Sequence, residues 1–312
     1  MRSSFALFAT AGIIALTLSG CASAPAPEAV SGDSSDAVSV TGDFGEKPKV
    51  EFPAPLAPEE TQCTEIIAGE GELIEEGQFV LLGASLFNGT TGEEVQVVGY
   101  DEDPAPLAIG DDTLIAFTKG LSCAREGSRV VVVAPSQEAI RPSDDPTGAE
   151  GGDSVVAVFD VIRAFMPRAD GAVRLSRDGF PAVVLAPDGR PGITVPKGAD
   201  PFETTEVEVL KEGSGEVVES GDTVVVHYTG VNWADGEVFD SSWEKGVPIS
   251  LVVADDEGSQ VIPGFSTAVI GQKVGSQVGV VIPPSEAYGE QGNGAVPGNS
   301  TLFFVIDILG VV

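Results

Sequence analysis

Apolar residues in this chain gather in short, β-branched blocks separated by polar, glycine-rich turns. DTVVVHYTGV (222–231) and LFFVIDILGV (302–311) are strand-length runs of valine, isoleucine, leucine and aromatic residues. SQVGVVIP (276–283) is a third, closed by a proline that cannot donate to a sheet ladder. One stretch follows a different period. In PGFSTAVIG (263–271), Phe265, Ala268 and Val269 fall at i, i+3 and i+4, on one helical face, and Gly271 supplies a stop. Several strands wrapped on one short helix make an α+β architecture.

The pattern occurs twice. IIAGEGELIEEGQFVLLGASLFNGTTGEEV from Ile66 aligns without gaps on LKEGSGEVVESGDTVVVHYTGVNWADGEVF from Leu210, with Gly69 on Gly213, Gly77 on Gly221 and Gly92 on Gly236. FTKGLSCAREGSRVVVVAPSQEAI from Phe117 aligns on FSTAVIGQKVGSQVGVVIPPSEAY from Phe265, and VVAVFDVIRA (155–164) on LFFVIDILGV. The 312 residues therefore read as two tandem domains, 61–166 and 201–312. Between them lies an interdomain segment, 167–200, whose PDGRPG turn leaves room for a hairpin.

The first sixty residues differ in kind. FALFATAGIIALTL (5–18), behind Arg2, is an apolar run of signal-peptide length that ends in Leu18-Ser19-Gly20-Cys21. That ending resembles the bacterial lipobox, in which small residues admit a peptidase and the cysteine sulfur takes a diacylglyceryl group. Residues 1–20 thus read as a lipoprotein signal peptide and Cys21 as its lipidation site. Residues 21–60, rich in Ala, Pro, Ser, Asp and Glu, read as a disordered tether. Two acyl chains give stable membrane attachment, so the expected location is extracytoplasmic, on the bacterial cell surface.

Composition narrows the partners. Aspartate and glutamate number 48 against 16 lysines and arginines, a net charge of −32 that repels phosphate backbones, and nucleic acid is not expected as a partner. A single histidine, His227, and no cysteine cluster give no metal site to expect. Export permits disulfides, and Cys63 and Cys123 are the only cysteines besides Cys21, so they are expected to pair. Such a bond closes a loop of about 60 residues, worth roughly 4 kcal/mol in the chain-entropy model.

The second copy carries VVVHYTG, DGEVFDSSW, VIPGF, VGSQVGVVIPP, AYGEQG and VPGNSTLFFVIDIL, in that order, across nearly the whole domain. In these motifs it resembles the FKBP-type peptidyl-prolyl cis–trans isomerases. The resemblance implies, for both copies, an antiparallel β-sheet wrapped around the short α-helix. It also implies a pocket. Carried over position by position, Tyr228, Asp240, Ile262 and Tyr288 are the catalytic candidates. Phe239, Ile249, Val261, Phe265, Val296 and Phe304 are the substrate-binding walls and floor. Phe265 stands where tryptophan is usual, Ile249 where another aromatic is common and Asn293 where a histidine is common, in a loop one residue shorter. These departures leave macrolide binding open. The implied partners are proline-containing chains of exported proteins, acted on by a monomer without a cofactor.

The chemistry suits these residue types. Rotation about a peptide bond crosses a barrier of about 18–20 kcal/mol, and an X–Pro bond takes tens to hundreds of seconds unaided. No covalent bond breaks, so no nucleophile is needed. An aromatic pocket strips water from the planar, polar ground state, and a few donors meet the twisted carbonyls. The Ile262 N–H and the Tyr288 hydroxyl are candidate donors. Asp240 either bonds the Tyr228 hydroxyl or meets the out-of-plane carbonyl. His227 points to the opposite strand face and reads as structural, and Trp233 and Trp243 read as rim or surface packing. In the first copy Ala84, Val95, Gln96, Leu114 and Ile140 hold the positions of Tyr228, Phe239, Asp240, Ile262 and Tyr288, and only Phe117 keeps its aromatic. That copy reads as degenerate and catalytically silent. The alternative for the second copy is a non-enzymatic chaperone or peptide-binding scaffold using the same pocket.

Overall fold

A computed structural model describes residues 26–100, 103–110, 112–139 and 153–312. The signal peptide, Cys21 and Ile140 lie outside the described residues. The described chain begins with a helical turn, α1 (Asp33–Asp36), and a hairpin of β1 (Ser39–Thr41) and β2 (Lys49–Glu51). An antiparallel sheet follows, built from β3 (Gln62–Ile67), β4 (Phe79–Asn88), β5 (Glu94–Val98), β6 (Ala105–Ala108), β7 (Arg129–Ala134) and β8 (Val155–Ala164). Its order is β3-β7-β8-β4-β5, with β6 also paired to β4, and α2 (Ile115–Leu121) packs on it.

The second sheet repeats that order. After β9 (Ala172–Val173) and a hairpin of β10 (Ala182–Leu185) and β11 (Pro191–Thr194) come β12 (Glu206–Glu212), β13 (Thr223–Asn232), β14 (Val238–Ser241), β15 (Ile249–Val252), α3 (Pro263–Val269), β16 (Gln277–Ile282) and β17 (Leu302–Val311). The strands run β14-β13-β17-β16-β12-β9, with β15 also on β13. Alternation decides which side chains face the helix. Val224, Val226 and Tyr228 of β13, Val278, Val280 and Ile282 of β16, and Phe304, Ile306 and Ile308 of β17 meet Phe265, Ala268 and Val269 of α3 in one core.

Residues 26–60 overturn the expectation of a disordered tether. Val38, Val40, Val50, Phe52 and Leu56 pack on the face of the first sheet away from α2, over Val131, Val133, Val156 and Val158. Those strands are apolar on both faces and cannot be left wet. The covering side chains are few and diluted among acidic and small residues, so composition alone hides them. The interdomain segment does the same for the second sheet. Phe180, Val183, Ile193 and Val195 cover Val231, Val281, Phe303 and Val305. Trp233, expected at a rim or surface, is only 7% exposed beneath this hairpin and donates its Nε1–H to the Ala199 carbonyl at 3.2 Å.

Each strap is pinned at an aligned pair of positions. In the first copy, Arg129 donates to both Asp160 oxygens at 2.6 and 2.7 Å and to the Gly42 and Asp43 carbonyls of the β1–β2 turn. Asp160 also accepts the Gly45 N–H at 2.6 Å. In the second copy, Gln277 donates to Asp307 at 2.6 Å, and Asp307 accepts the Ala169 N–H at 2.9 Å. Burial pushes the Asp307 carboxyl above the usual aspartate range. Cys63 of β3 and Cys123, just past α2, are joined, with their Cα atoms 6.5 Å apart. At the junction of the domains, Phe79 and Leu81 of β4 and Phe165 bury themselves against Val225 and Leu309. Arg163 reinforces this contact by donating to the Val311 carbonyl.

Candidate functional site

The site grows out of strand register. Tyr228 and Gly230, two residues apart on β13, share the helix-side face. Gly230 pairs with Asp240 on one side and Phe304 on the other, which brings the carboxylate and the ring beside Tyr228. A Cβ at Gly230 would lie 2.6 Å from the Phe239 ring and 2.7 Å from the Phe304 ring, so only glycine lets both rings close over the strand. Phe304 is the hub. It meets Phe239 edge-on at 5.4 Å and Phe265 edge-on at 5.6 Å, while Tyr228 meets Phe265 edge-on at 6.1 Å.

These rings floor a cavity of about 420 Å³, which Asp240, Ile249, Val261, Ile262 and Tyr288 also line. Leu251, Ser259, Gln260 and Asn293 line it too, though only Asn293 drew attention in the sequence. Their signal is positional: Ser259 and Gln260 directly precede Val261 and Ile262, and Gln260 ties that loop to β15 by accepting the Val252 N–H at 2.9 Å. Val296 corrects the expectation. It is 4% exposed and sits in the core, outside the cavity lining. Reciprocal backbone hydrogen bonds between Asn293 and Val296, both 2.9 Å, close a tight turn that leaves Asn293 at the cavity and Val296 inside.

The polar groups have defined tasks. The Tyr228 hydroxyl donates to Asp240 Oδ2 at 2.5 Å, and Lys245 Nζ donates to Oδ1 at 2.6 Å. Both carboxylate oxygens are therefore engaged, and of the two roles considered for Asp240 the geometry favours holding Tyr228. Burial raises the Asp240 pKa, but the hydrogen bonds from Lys245 and Tyr228 and the lysine charge outweigh it and hold the carboxyl below the usual range. Burial first, then the Asp240 hydrogen bond, pushes the Tyr228 hydroxyl well above its ordinary value. Ile262 caps α3 in extended conformation, and its carbonyl accepts the Phe265 N–H at 2.9 Å. Its own N–H finds no protein acceptor among the described residues, which leaves a donor at the cavity edge.

His227, on the opposite face, stacks on Trp243 at 3.9 Å, and its Nδ1 lies 2.8 Å from Ser242 Oγ. Burial lowers its pKa to about 4. The folded value lies below the unfolded one of about 6.5, so between them the unfolded chain binds the extra proton. Stability is unaffected above pH 6.5 and is expected to fall by up to about 3 kcal/mol as pH drops towards 4. Denaturation of the full chain against His227→Phe measures this: the histidine protein should lose more stability over that window, and parallel curves would exclude it. Among the described residues, the first copy has no comparable constellation. Ala84, Leu86, Val98 and Phe117 belong to its apolar core, where Phe117 packs edge-on against Phe159 at 5.0 Å.

The profile of the family described as FKBP-type peptidyl-prolyl cis-trans isomerase matches residues 215–309. The chain is 37% identical over 124 residues to the FK506-binding protein of Streptomyces anulatus, covering 39% of this chain and 97% of that one. It is 41% identical over 110 residues to FK506-binding protein 1 of Debaryomyces hansenii, covering 35% of this chain and 95% of that one. With the FKBP-type isomerase FkpA of Escherichia coli it shares 28% identity over 211 residues, 64% of this chain and 76% of that one.

Proposed function

The chain belongs to the FKBP-type peptidyl-prolyl cis–trans isomerase family, and from that premise we propose that its second domain accelerates X–Pro rotation in exported polypeptides while lipid on Cys21 holds the protein at the outer face of the membrane. One observation carries the assignment of activity to this domain: a hydroxyl–carboxylate–ammonium chain, Tyr228, Asp240 and Lys245, stands at the mouth of an aromatic box. The proline ring enters between Tyr228, Phe265 and Phe304 and leaves its water behind, which disfavours the planar, polar amide relative to the twisted one. The Ile262 N–H meets a carbonyl flanking the proline, and Tyr288, which also lines the cavity, offers its hydroxyl as a second donor. Asp240 keeps the Tyr228 ring upright through its hydroxyl. No proton or bond changes hands.

Proline-limited refolding tests this reading against that of a binding scaffold. Catalytic amounts of the full chain should speed the slow phase in proportion to their concentration. Binding of the unfolded substrate with an unchanged slow phase would favour the scaffold. The anchor is tested separately. Cys21→Ala should move the protein out of the membrane fraction or leave its signal uncleaved, and unchanged partitioning with normal cleavage would remove the lipid from the proposal.

A further inference from the structure

The silent copy touches the active one beside the pocket. We propose that the first domain braces the loop between β14 and β15, residues 242–248, and that Gly110 and Val247 are the positioning pair; this rests on the isomerase reading of the second domain. The loop carries part of the site. Lys245 holds Asp240 at 2.6 Å, and Ile249, which lines the cavity, follows directly. The loop is also where the two copies meet. A Cβ at Gly110 would lie 2.4 Å from Val247 Cγ1 and 3.9 Å from Val247 Cβ, and one at Gly77 would lie 3.4 Å from the Gly246 carbonyl oxygen.

Gly110 is glycine for room. It is buried and its φ lies outside the left-handed region, so alanine would fit the backbone there and collide only with the valine. The seat around it is rigid. Gly110 N–H donates to Thr113 Oγ1 at 3.2 Å, Thr113 N–H returns to the Gly110 carbonyl at 2.8 Å, and Gly77 N–H donates to the Ile109 carbonyl at 2.7 Å. The Phe79, Leu81 and Phe165 contact with Val225 and Leu309 fixes this seat relative to the second sheet. At its other end the loop is held by Trp243 stacked on His227. Between these two supports Glu244, Lys245 and Gly246 are exposed, so the place of the Lys245 ammonium is set by where Val247 is seated. Shifting Val247 moves Lys245 and Ile249 together, and with them Asp240, the Tyr228 hydroxyl and the pocket wall.

The test is a cycle in the full chain. Gly110→Ala should lower kcat/KM on a proline peptide about fivefold to tenfold, chiefly through KM, because the Ile249 wall and the Tyr228–Asp240 edge move while the Phe265 and Phe304 rings and the Ile262 N–H stay in place. In a Trp233→Phe background, where Trp243 is the sole indole, the emission maximum should shift. Val247→Ala alone should raise KM about twofold. Because it removes the colliding methyl, combining it with Gly110→Ala should return kcat/KM to within about twofold of the wild type and restore the emission. Wild-type kinetics and emission in Gly110→Ala would overturn the brace, as would equal losses in the single and double variants that track melting temperature. If the parent protein catalyses nothing, the isomerase reading fails, and the emission cycle still decides whether the first domain seats the loop.

Discussion

Asp160→Ala is expected to destabilise the first domain by about 3–5 kcal/mol, the loss typical when one partner of a buried ion pair is removed. Arg129 is 1% exposed and Asp160 fully buried, so the guanidinium left behind cannot rehydrate without opening the strap. It would keep only carbonyl partners from the β1–β2 turn. Calorimetry of the full chain should show the first-domain transition moving down while the second-domain transition stays nearly in place. Asp307→Asn, at the aligned position in the second domain, should cost far less. Its partner is the neutral Gln277 amide, and burial already disfavours the charge. A loss under about 1 kcal/mol in Asp160→Ala would mean that the strap is held by its apolar side chains alone.

Giving the second domain the residues of the first should abolish catalysis. Tyr228→Ala, Asp240→Gln and Tyr288→Ile together are expected to lower kcat/KM at least about a hundredfold, since a single stabilising donor is commonly worth that much. These residues line an open cavity, so the stability loss should stay within about 3 kcal/mol. Near-UV circular dichroism and thermal melting establish that the variant is folded, and a peptide isomerisation assay reads the loss. Retention of more than about a tenth of the activity would move the chemistry away from these groups and onto the apolar pocket itself.

Different physical signals made different parts of this protein legible in its sequence. Unbroken β-branched and aromatic runs expose β13, β16 and β17, because burial on both faces leaves few polar positions, and the Phe265, Ala268, Val269 spacing exposes the helix. The pocket was legible through ordered motifs, and most of the residues they single out line one cavity. The strap over the first sheet left no such trace. Val38, Val40, Val50 and Phe52 cover a sheet from short strands and bends, and side chains so few do not raise the apolar content of an acidic segment. Lys245 was missed because a lysine in a polar loop looks like any solvated charge until Asp240 is placed beside it. Trp233 was misplaced for a related reason: its cover comes from residues about forty positions earlier, and no local pattern announces that.

The order of strands in each sheet has a consequence for how the molecule assembles itself. The last strand of each domain lies in the interior of its sheet: β8 enters between β7 and β4, and β17 between β16 and β13. Neither sheet can close until its final ten-residue strand is available, because the strands on either side of the gap are not paired to each other. Such closure depends on contacts far apart in sequence and is slow compared with helix formation. A chain delivered from its N-terminus completes the first domain once residue 164 is free, whereas the second stays as two unjoined halves until β17 is delivered. The first domain is then already a finished surface, with the Gly110 seat formed, when the loop that will frame the active pocket arrives.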